Sequence, residues 1–193
     1  MSNYSLEFLL GSEQLCASDT TNSVCIYDVA DGQVLRKLPG NDSEICCIAV
    51  SPNQKYMATG LKDNTVCLFD FDSGKGIAVL RAHKSWVWGV EFSPDSQRLY
   101  SASRDCTVAV WGIPEGELLT QKQIHEDEIN GLALSSDGNF LATGSDDNKI
   151  ILSDTTLSWI FRLMTPGDSE RIRPGIPSDD AHPFRGIAAT HSD

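Results

Sequence analysis

Apolar and polar residues alternate in short runs along residues 1–164, and turn-forming residues separate the runs. This period of two is typical of β-strands and differs from the period of an amphipathic helix. The pattern is plainest between residues 83 and 124. There it predicts four strands, at residues 86–92, 98–103, 107–111 and 117–123.

The same pattern recurs every 42 residues without an insertion or a deletion. Each period has a strand-ending pair, and most periods have a turn aspartate and a polar residue before the first strand. The three series are Tyr27-Asp28, Phe69-Asp70, Trp111-Gly112 and Ser153-Asp154; Asp63, Asp105 and Asp147; and Asn41, His83 and His125. A fixed period of this length indicates four copies of one supersecondary unit.

The third strands of the four copies are almost continuously apolar, at residues 24–27, 66–69, 108–111 and 150–152. Such strands are covered on both faces, which predicts sheets stacked against sheets. The first strands of three copies hold one residue more than alternation allows, which predicts a β-bulge at residues 46, 88 and 130. Small residues are expected in the gap between neighbouring sheets, at Cys16, Ala58, Ala102 and Ala142.

A 42-residue, four-strand repeat with an aspartate turn and a terminal aromatic-Asp pair resembles the WD-repeat family of β-propellers. The resemblance covers residues 1 to about 164. It implies an all-β propeller of four four-stranded blades, at about 1–40, 41–82, 83–124 and 125–164. Propellers of this family usually close with about seven blades, so we expect an open partial ring.

The resemblance also implies a buried hydrogen-bond network in each blade, formed by a His, a Ser or Thr, an Asp and a Trp. The third copy has all four members, the fourth lacks the Trp, the second keeps two, and the first keeps almost none. We therefore expect the third copy to be the most rigid unit and the first the most labile. The members are His83, Ser101, Asp105 and Trp111; His125, Thr143 and Asp147, with Ser153 in place of Trp; and Thr59 and Asp63, with Asn41 and Phe69 in the other two places.

His83, Ser101 and Asp105 are also the residue types that activate a serine for acyl transfer. The fourth copy repeats this arrangement one period later, whereas a catalytic site has no reason to recur at the repeat spacing. We interpret both sets as structural and expect no catalytic residue.

The family resemblance further implies that protein partners bind the narrower top face, around the central channel. The positions that would be exposed there differ between the copies, as expected of a surface that contacts a partner. Tryptophan and arginine are common energetic anchors of interfaces, although two tryptophans at a bulge are also compatible with local core. The residues are Asp42, Glu44, Cys46 and Lys62; Lys84, Trp86, Trp88 and Arg104; and Glu126, Glu128, Asn130 and Asp146.

Composition narrows the function classes. A net charge of −12 and a pI near 4.6 argue against direct nucleic-acid binding, which depends on Lys and Arg. No apolar run approaches the roughly 18 residues of a membrane span, and the N-terminus lacks the features of a signal peptide. The six cysteines show no CxxC spacing, and the adjacent Cys46 and Cys47 would point to opposite faces of a strand. We expect reduced thiols, no metal, no cofactor, no membrane partner, and a location in the cytoplasm or nucleus.

The repeat ends after Met164. Residues 165–193 hold four of the eight prolines and show neither period, which predicts a flexible Pro/Gly-rich tail. The abrupt change suits a truncated or alternatively ended product of a longer gene.

The leading hypothesis is a catalytically inert scaffold that binds protein partners in an intracellular multi-subunit complex. Residues 28–36 and the acidic Asp42-Ser43-Glu44 are loosely similar to the transducin β-like subunits of the nucleolar small-subunit processome, a subgroup of the family. That likeness implies a role in ribosome biogenesis and rRNA processing. One alternative is a truncated or regulatory isoform that pairs with another chain, or with itself, through open sheet edges. An enzyme that uses the central cavity is the other alternative, and it is disfavoured because only scattered carboxylates are visible.

Overall fold

The computed structural model describes residues 5–9, 11, 13–158 and 160–163, and this part of the chain contains strands and no helix. Four strands form in each of the four copies. In chain order they are β1 Leu6–Phe8, β2 Gln14–Ser18, β3 Val24–Asp28, β4 Val34–Leu38, β5 Ile45–Val50, β6 Tyr56–Leu61, β7 Thr65–Asp70, β8 Gly76–Arg81, β9 Val87–Phe92, β10 Arg98–Ser103, β11 Thr107–Gly112, β12 Glu117–Gln123, β13 Ile129–Leu134, β14 Phe140–Ser145, β15 Ile150–Asp154 and β16 Ile160–Leu163.

Every group of four consecutive strands forms one antiparallel sheet in chain order, which we call a blade. The first strands of neighbouring blades contact one another, β1 with β5, β5 with β9, and β9 with β13. These strands therefore lie innermost, and the fourth strand of each blade lies at the periphery. The predicted fold class, an all-β propeller of four blades in an open partial ring, is confirmed.

The turn between the second and third strands keeps one backbone conformation in all four blades. A residue at or next to its end has a positive φ, between 57° and 73°, at Asn22, Asn64, Cys106 and Asn148. Asparagine tolerates this left-handed conformation better than most residues, because its short side chain bonds locally. The constant 42-residue step thus reflects a turn that each copy closes in the same way.

The β-bulge predicted in the first strands is confirmed. In the third blade Val87 pairs with Ser103 and Gly89 with Ala102, so that Trp88 is the extra residue. The register also shifts between Ile45 and Cys47 and between Ile129 and Gly131. A bulge redirects the side chain of the extra residue, which here lies at the end of the strand nearest the preceding blade-to-blade loop.

The apolar core lies between the blades as three clusters, one at each blade-to-blade interface. Between the first and second blades, Val24 and Ile26 pack with Ile48 and Met57. Corresponding clusters join the second blade to the third and the third to the fourth. Burial of these side chains stabilises the stack by about 1.5–3 kcal/mol each, so that each described blade depends on its neighbours.

The assignment of Ala102 to the small-residue position is wrong. Cys16, Ala58 and Ala142 each pair with the middle of the third strand, and Tyr100 is the residue that does so in the third blade. Tyr100 is buried in the cluster between the third and fourth blades, two residues before Ala102 on the same face. The interface accepts a large ring here because the combined volume of facing side chains matters, and no single position must be small.

The proposed tail, residues 165–193, lies outside the described residues. Within the described part of the chain, no helix is long and apolar enough to cross a membrane.

Candidate interaction face

Strand direction determines which loops lie together. Because the strands of each blade are antiparallel, the blade-to-blade loops share one end of the sheets with the turns between second and third strands. We call this end the top face. It comprises residues 39–44, 82–86 and 124–128 from the former and residues 19–23, 62–64, 104–106 and 146–149 from the latter. All of the top-face positions predicted from the sequence lie in these loops or at the adjoining bulges.

The third blade contains a continuous hydrogen-bond chain from its core to its top turn. The Trp111 indole Nε1 donates to Ser101 Oγ at 2.9 Å, and Ser101 Oγ lies 2.8 Å from His83 Nε2. His83 Nδ1 lies 3.2 Å from Asp105 Oδ2. The indole N–H can only donate, so Ser101 Oγ accepts from Trp111. The Ser101 hydroxyl can then donate to His83 Nε2, and His83 Nδ1–H donates to Asp105. The chain joins the loop, the second strand, the turn and the third strand of one blade.

The fourth blade has a shorter version of the same chain. His125 Nε2 lies 2.9 Å from Thr143 Oγ1, and His125 Nδ1 lies 2.9 Å from Asp147 Oδ2. Ser153 stands at the tryptophan position and adds no indole donor.

In the second blade only one of these links is present. Thr59 Oγ1 donates to Asn41 Oδ1 at 3.1 Å, whereas Asp63 is exposed and accepts from Thr65 in its own turn. The structure thus places Asp63 in the turn without joining it to Thr59.

The turn aspartates of the third and fourth blades are held as carboxylates. Burial raises the pKa of Asp105, but hydrogen bonds from His83, Thr107 and the Lys84 backbone N–H outweigh it and hold that pKa well below its usual range. The pKa of Asp147 is lowered in the same way: burial opposes the shift, and the Glu126 backbone N–H and His125 favour it.

Asp19 is the turn aspartate of the first blade, and it was not among the residues predicted from the sequence. It accepts from Thr21, Ser23 and Lys37. The repeat register places Thr21 at the aspartate position, two residues later. The only available signal was the local sequence Asp-x-Thr, which also occurs at Asp63 and Asp105.

A cationic and aromatic stack crosses the top face from the second blade to the third. Lys62 Nζ lies 4.6 Å from the Trp86 ring centroid, and the Arg104 guanidinium carbon also lies 4.6 Å from it. Arg104 extends over Trp88 as well, at 5.1 Å. The two indoles are tilted by 47° with their centroids 6.3 Å apart.

Carboxylates from both flanking blades close this stack. Glu44 lies 2.7 Å from Lys62 Nζ in the second blade, and Glu128 of the fourth blade lies 3.0 Å from Arg104 Nε. We call the six residues Glu44, Lys62, Trp86, Trp88, Arg104 and Glu128 the top-face array. All six are partly exposed, and none belongs to the three inter-blade clusters.

The array adds little to the stability of the fold. Partly exposed cation–π contacts contribute about 0.5–1 kcal/mol each, and surface ion pairs contribute about 0–1 kcal/mol. Two donors of the array even oppose stability, because the Trp88 Nε1–H and the Arg104 Nε–H are enclosed and make no hydrogen bond to the described residues. An unsatisfied buried donor costs about 1–3 kcal/mol.

The remaining predicted residues border the array. Lys84 is exposed, and its backbone N–H donates to Asp105 at 2.7 Å. Glu126 pairs with Lys149 at 2.8 Å. Asp146 is exposed and accepts from the Asn130 amide.

Comparison with known proteins settles the family. The sequence profile described as "WD domain, G-beta repeat" matches residues 32–70, 74–112 and 116–154, which together are more than half of the chain. The protein belongs to the WD-repeat family. A search of curated proteins found no match.

Among solved structures, the WD-repeat chain is similar to one described as U3-55K, with a TM-score of 0.74 and 22% sequence identity. The match covers 82% of this chain and 50% of the U3-55K chain, so the chain spans about half the length of that structure. At this identity the likeness concerns the fold.

The WD-repeat network encloses Ser101 and so denies it the access that a nucleophile needs. Ser101 is 0% exposed, and its oxygen is already occupied by Trp111 and His83. No substrate carbonyl can approach a hydroxyl enclosed in this way, and activation by a base requires such an approach. Ser101 and Thr143 therefore have positions suited to holding strands together.

The cysteines of this WD-repeat chain are free thiols, and among the described residues no group of three or more His, Cys, Asp or Glu side chains could hold a metal ion. Burial raises the pKa of Cys46 to about 11, with Lys62 opposing the shift. The thiol at the top face is accordingly protonated at neutral pH and is a poor metal ligand or nucleophile.

Proposed function

We propose that this chain is a non-catalytic WD-repeat scaffold that binds protein partners in an intracellular multi-subunit complex through its top face. The observation that carries the proposal is the top-face array, which draws residues from three blades into one charged and aromatic surface. Members of the WD-repeat family serve generally as interaction scaffolds without catalysis, which supports the same conclusion.

The composition of the array favours a protein partner. Tryptophan and arginine are enriched among the residues that dominate binding energy at protein interfaces. The repeat does not require them here, because the positions equivalent to Trp86 are Glu44 in the second blade and Glu128 in the fourth. The net charge of −12 disfavours nucleic-acid phosphates as the main ligand.

Quantitative affinity purification of the full chain from its native cells tests the proposal. We expect Arg104→Ala and Trp86→Ala to reduce recovery of the partners about tenfold or more, as loss of an interface anchor does. Lys75→Ala is the matched control, because Lys75 is exposed in the turn between β7 and β8 at the opposite end of the blades. If both top-face variants retained every partner while remaining folded by circular dichroism, the proposal would be wrong.

Within this role we propose a part in ribosome biogenesis, with residence in the nucleolus. The loose likeness of residues 28–36 and 42–44 to processome subunits of the family supports it, and the fold likeness to U3-55K is compatible with it. Fluorescence microscopy and sedimentation of the tagged chain provide the test. Co-sedimentation with large pre-ribosomal particles is expected, and uniform cytoplasmic signal with slow sedimentation would contradict the assignment.

A second candidate is association through the open side of the first blade. Leu6 and Phe8 alternate on β1 and are 62% and 68% exposed, so they form an apolar strip on the innermost strand of the first blade. Exposed apolar strips on sheets promote association. Sedimentation equilibrium of a Leu6→Glu, Phe8→Glu variant should show less self-association than the wild type. Leu35→Glu, also at an exposed apolar position, is the control.

A further inference from the structure

The third-blade part of the top-face array has more hydrogen-bond donors than acceptors. Arg104 Nε lies 3.0 Å from Glu128 Oε2, but this enclosed N–H makes no hydrogen bond to any acceptor in the described part of the chain. The Trp88 Nε1–H is likewise without an acceptor there. Arg104 lies over the Trp88 ring at 5.1 Å, so these donors belong to neighbouring groups.

The carboxylates nearby are already engaged. Glu128 pairs with Arg104, Glu44 with Lys62, and Glu126 with Lys149, while Asp146 accepts from the Asn130 amide. The enclosed donors Arg104 Nε and Trp88 Nε1 therefore define the centre, whereas the enclosed acceptor Glu44 Oε1 lies against Lys62 Nζ. A carboxylate matches this centre well, because its two oxygens accept the parallel N–H groups of a guanidinium.

The surroundings of this centre carry the opposite charge. Asp42 on the second blade and Glu126 and Asp146 on the fourth are exposed on either side of it. A run of acidic residues or a nucleic-acid backbone would be repelled by these groups. A single carboxylate with basic neighbours would satisfy both the centre and its flanks.

We infer that the top face of the third blade binds a segment of a protein partner that has one central Asp or Glu flanked on both sides by Lys or Arg. This inference rests on the proposed function and specifies the chemistry of its partner. The partner's carboxylate pairs with the terminal amino groups of Arg104 and accepts from Trp88 Nε1. The basic flanks lie against Asp42 on one side and against Glu126 and Asp146 on the other.

Glu128 then competes with the partner's carboxylate for Arg104. It occupies Arg104 in the free protein, and its partly exposed ion pair is weak enough to exchange for an incoming carboxylate. Trp88 Nε1 is enclosed, so a ligand reaches it only when Arg104 shifts away from Glu128 and towards the ligand.

Synthetic nine-residue peptides test this with the full chain. The probe peptide carries one central Glu with two Lys on each side, and three others carry Gln, Lys or phosphoserine at the centre. Nuclear magnetic resonance of ¹⁵N-labelled indoles reports Trp88 directly, because a new acceptor moves the Nε1–H signal downfield. We expect this shift with the Glu peptide and a weaker response with the Gln and Lys peptides. Equal binding of all four peptides, or tighter binding of the phosphoserine peptide, would overturn the inference.

The variants distinguish a specific site from general electrostatics. Glu128→Gln should bind the Glu peptide about fivefold more tightly by fluorescence anisotropy, because the competitor is removed. Glu126→Gln makes the same charge change in the same blade and should weaken binding, because Glu126 is a proposed contact of the basic flanks. Arg104→Lys and Trp88→Phe should each weaken binding at least threefold. Equal tightening in both glutamine variants would show a general charge effect and refute the site.

The outcome also separates this inference from the proposed function. If native partners are lost from Arg104→Ala but the peptides do not depend on their central residue, the scaffold role stands and the carboxylate preference is wrong. If the native partners are retained by both Arg104→Ala and Trp86→Ala, the scaffold proposal itself fails.

Discussion

Individual residues divide into those that hold a blade together and those that face outward. Ser101 belongs to the first group, since one hydroxyl serves both Trp111 and His83 inside the sheet. Trp86 belongs to the second group. Its two neighbouring cations, Lys62 and Arg104, come from different blades, and it lies outside the core clusters. Tryptophan thus belongs to the blade interior at position 111, whereas Trp86 lies where we propose that a partner binds.

Replacement of Ser101 by Ala is expected to destabilise the protein by about 1–3 kcal/mol, because the buried Trp111 indole loses its acceptor and His83 loses a partner. Urea unfolding followed by tryptophan fluorescence measures the change. Ser136→Ala, at an exposed turn position, is the control. A loss below about 0.5 kcal/mol, the range of ordinary surface substitutions, would show that the hydrogen-bond chain matters little.

Glu91 gives the folded protein a pH dependence. Burial raises the pKa of this β9 carboxyl to about 7, and the charge of Glu7 adds to the shift. The unfolded chain has a pKa of about 4.3, so between that value and 7 the folded state keeps a proton that the unfolded state has lost. Stability contributed by this group therefore falls as pH rises through this window.

Replacement of Glu91 by Gln should remove that fall. We expect the variant to gain about 1–2 kcal/mol over the wild type above pH 7, after allowance for solvent screening, and to show no gain near pH 4. Urea titrations at pH 4, 6 and 8 measure it. Glu117→Gln, at an exposed position of β12, is the control, and a gain that did not vary with pH would contradict the assignment.

At the scale of strands and turns, most of the fold could be predicted from the sequence. The strands at residues 98–103 and 117–123 have the predicted bounds, because alternation and turn residues are local signals. The repeat spacing makes Tyr100 the equivalent of Ala58, whereas Ala102 was predicted for this position because its side chain is small. The space available there depends on the facing blade, which residue size alone does not show. The positions that the family resemblance assigns to the top face also lie at that end of the blades.

The contacts within the site could not be predicted in the same way. The approach of Lys62 to Trp86 and of Arg104 to Glu128 depends on how neighbouring blades are spaced, which no local pattern encodes. Asp19 was missed for a related reason, because its turn uses an aspartate two residues out of register.

The blades should differ in local stability. The third has a complete hydrogen-bond chain and neighbours on both sides, whereas the first has neither among the described residues. We expect slower amide hydrogen exchange in β10 and β11 than in β2 and β3, measured by mass spectrometry of peptic fragments. Best protection in the first blade would reject this order.

At the scale of the whole molecule, stability depends on how closely blades approach. A Cβ at Gly89 would lie 2.7 Å from Leu132 Cβ in the fourth blade, whereas at Gly131, 42 residues later, the nearest atom would be 3.7 Å away. We expect Gly89→Ala to destabilise by about 1–3 kcal/mol and to speed exchange in the fourth blade, and Gly131→Ala to be tolerated. Thermal unfolding compares the two, and similar melting temperatures would contradict close contact at this interface.

The bulge in the first strands has a consequence for protein engineering. The extra residue, Cys46, Trp88 or Asn130, belongs to none of the inter-blade clusters, although it is attached to the innermost strand of its blade. Asn130 is exposed and Trp88 partly exposed, whereas Cys46 is buried. Substitutions at positions 88 and 130 leave the stacked faces in register, so new recognition chemistry can be installed at these two top-face sites without redesigning the scaffold beneath them.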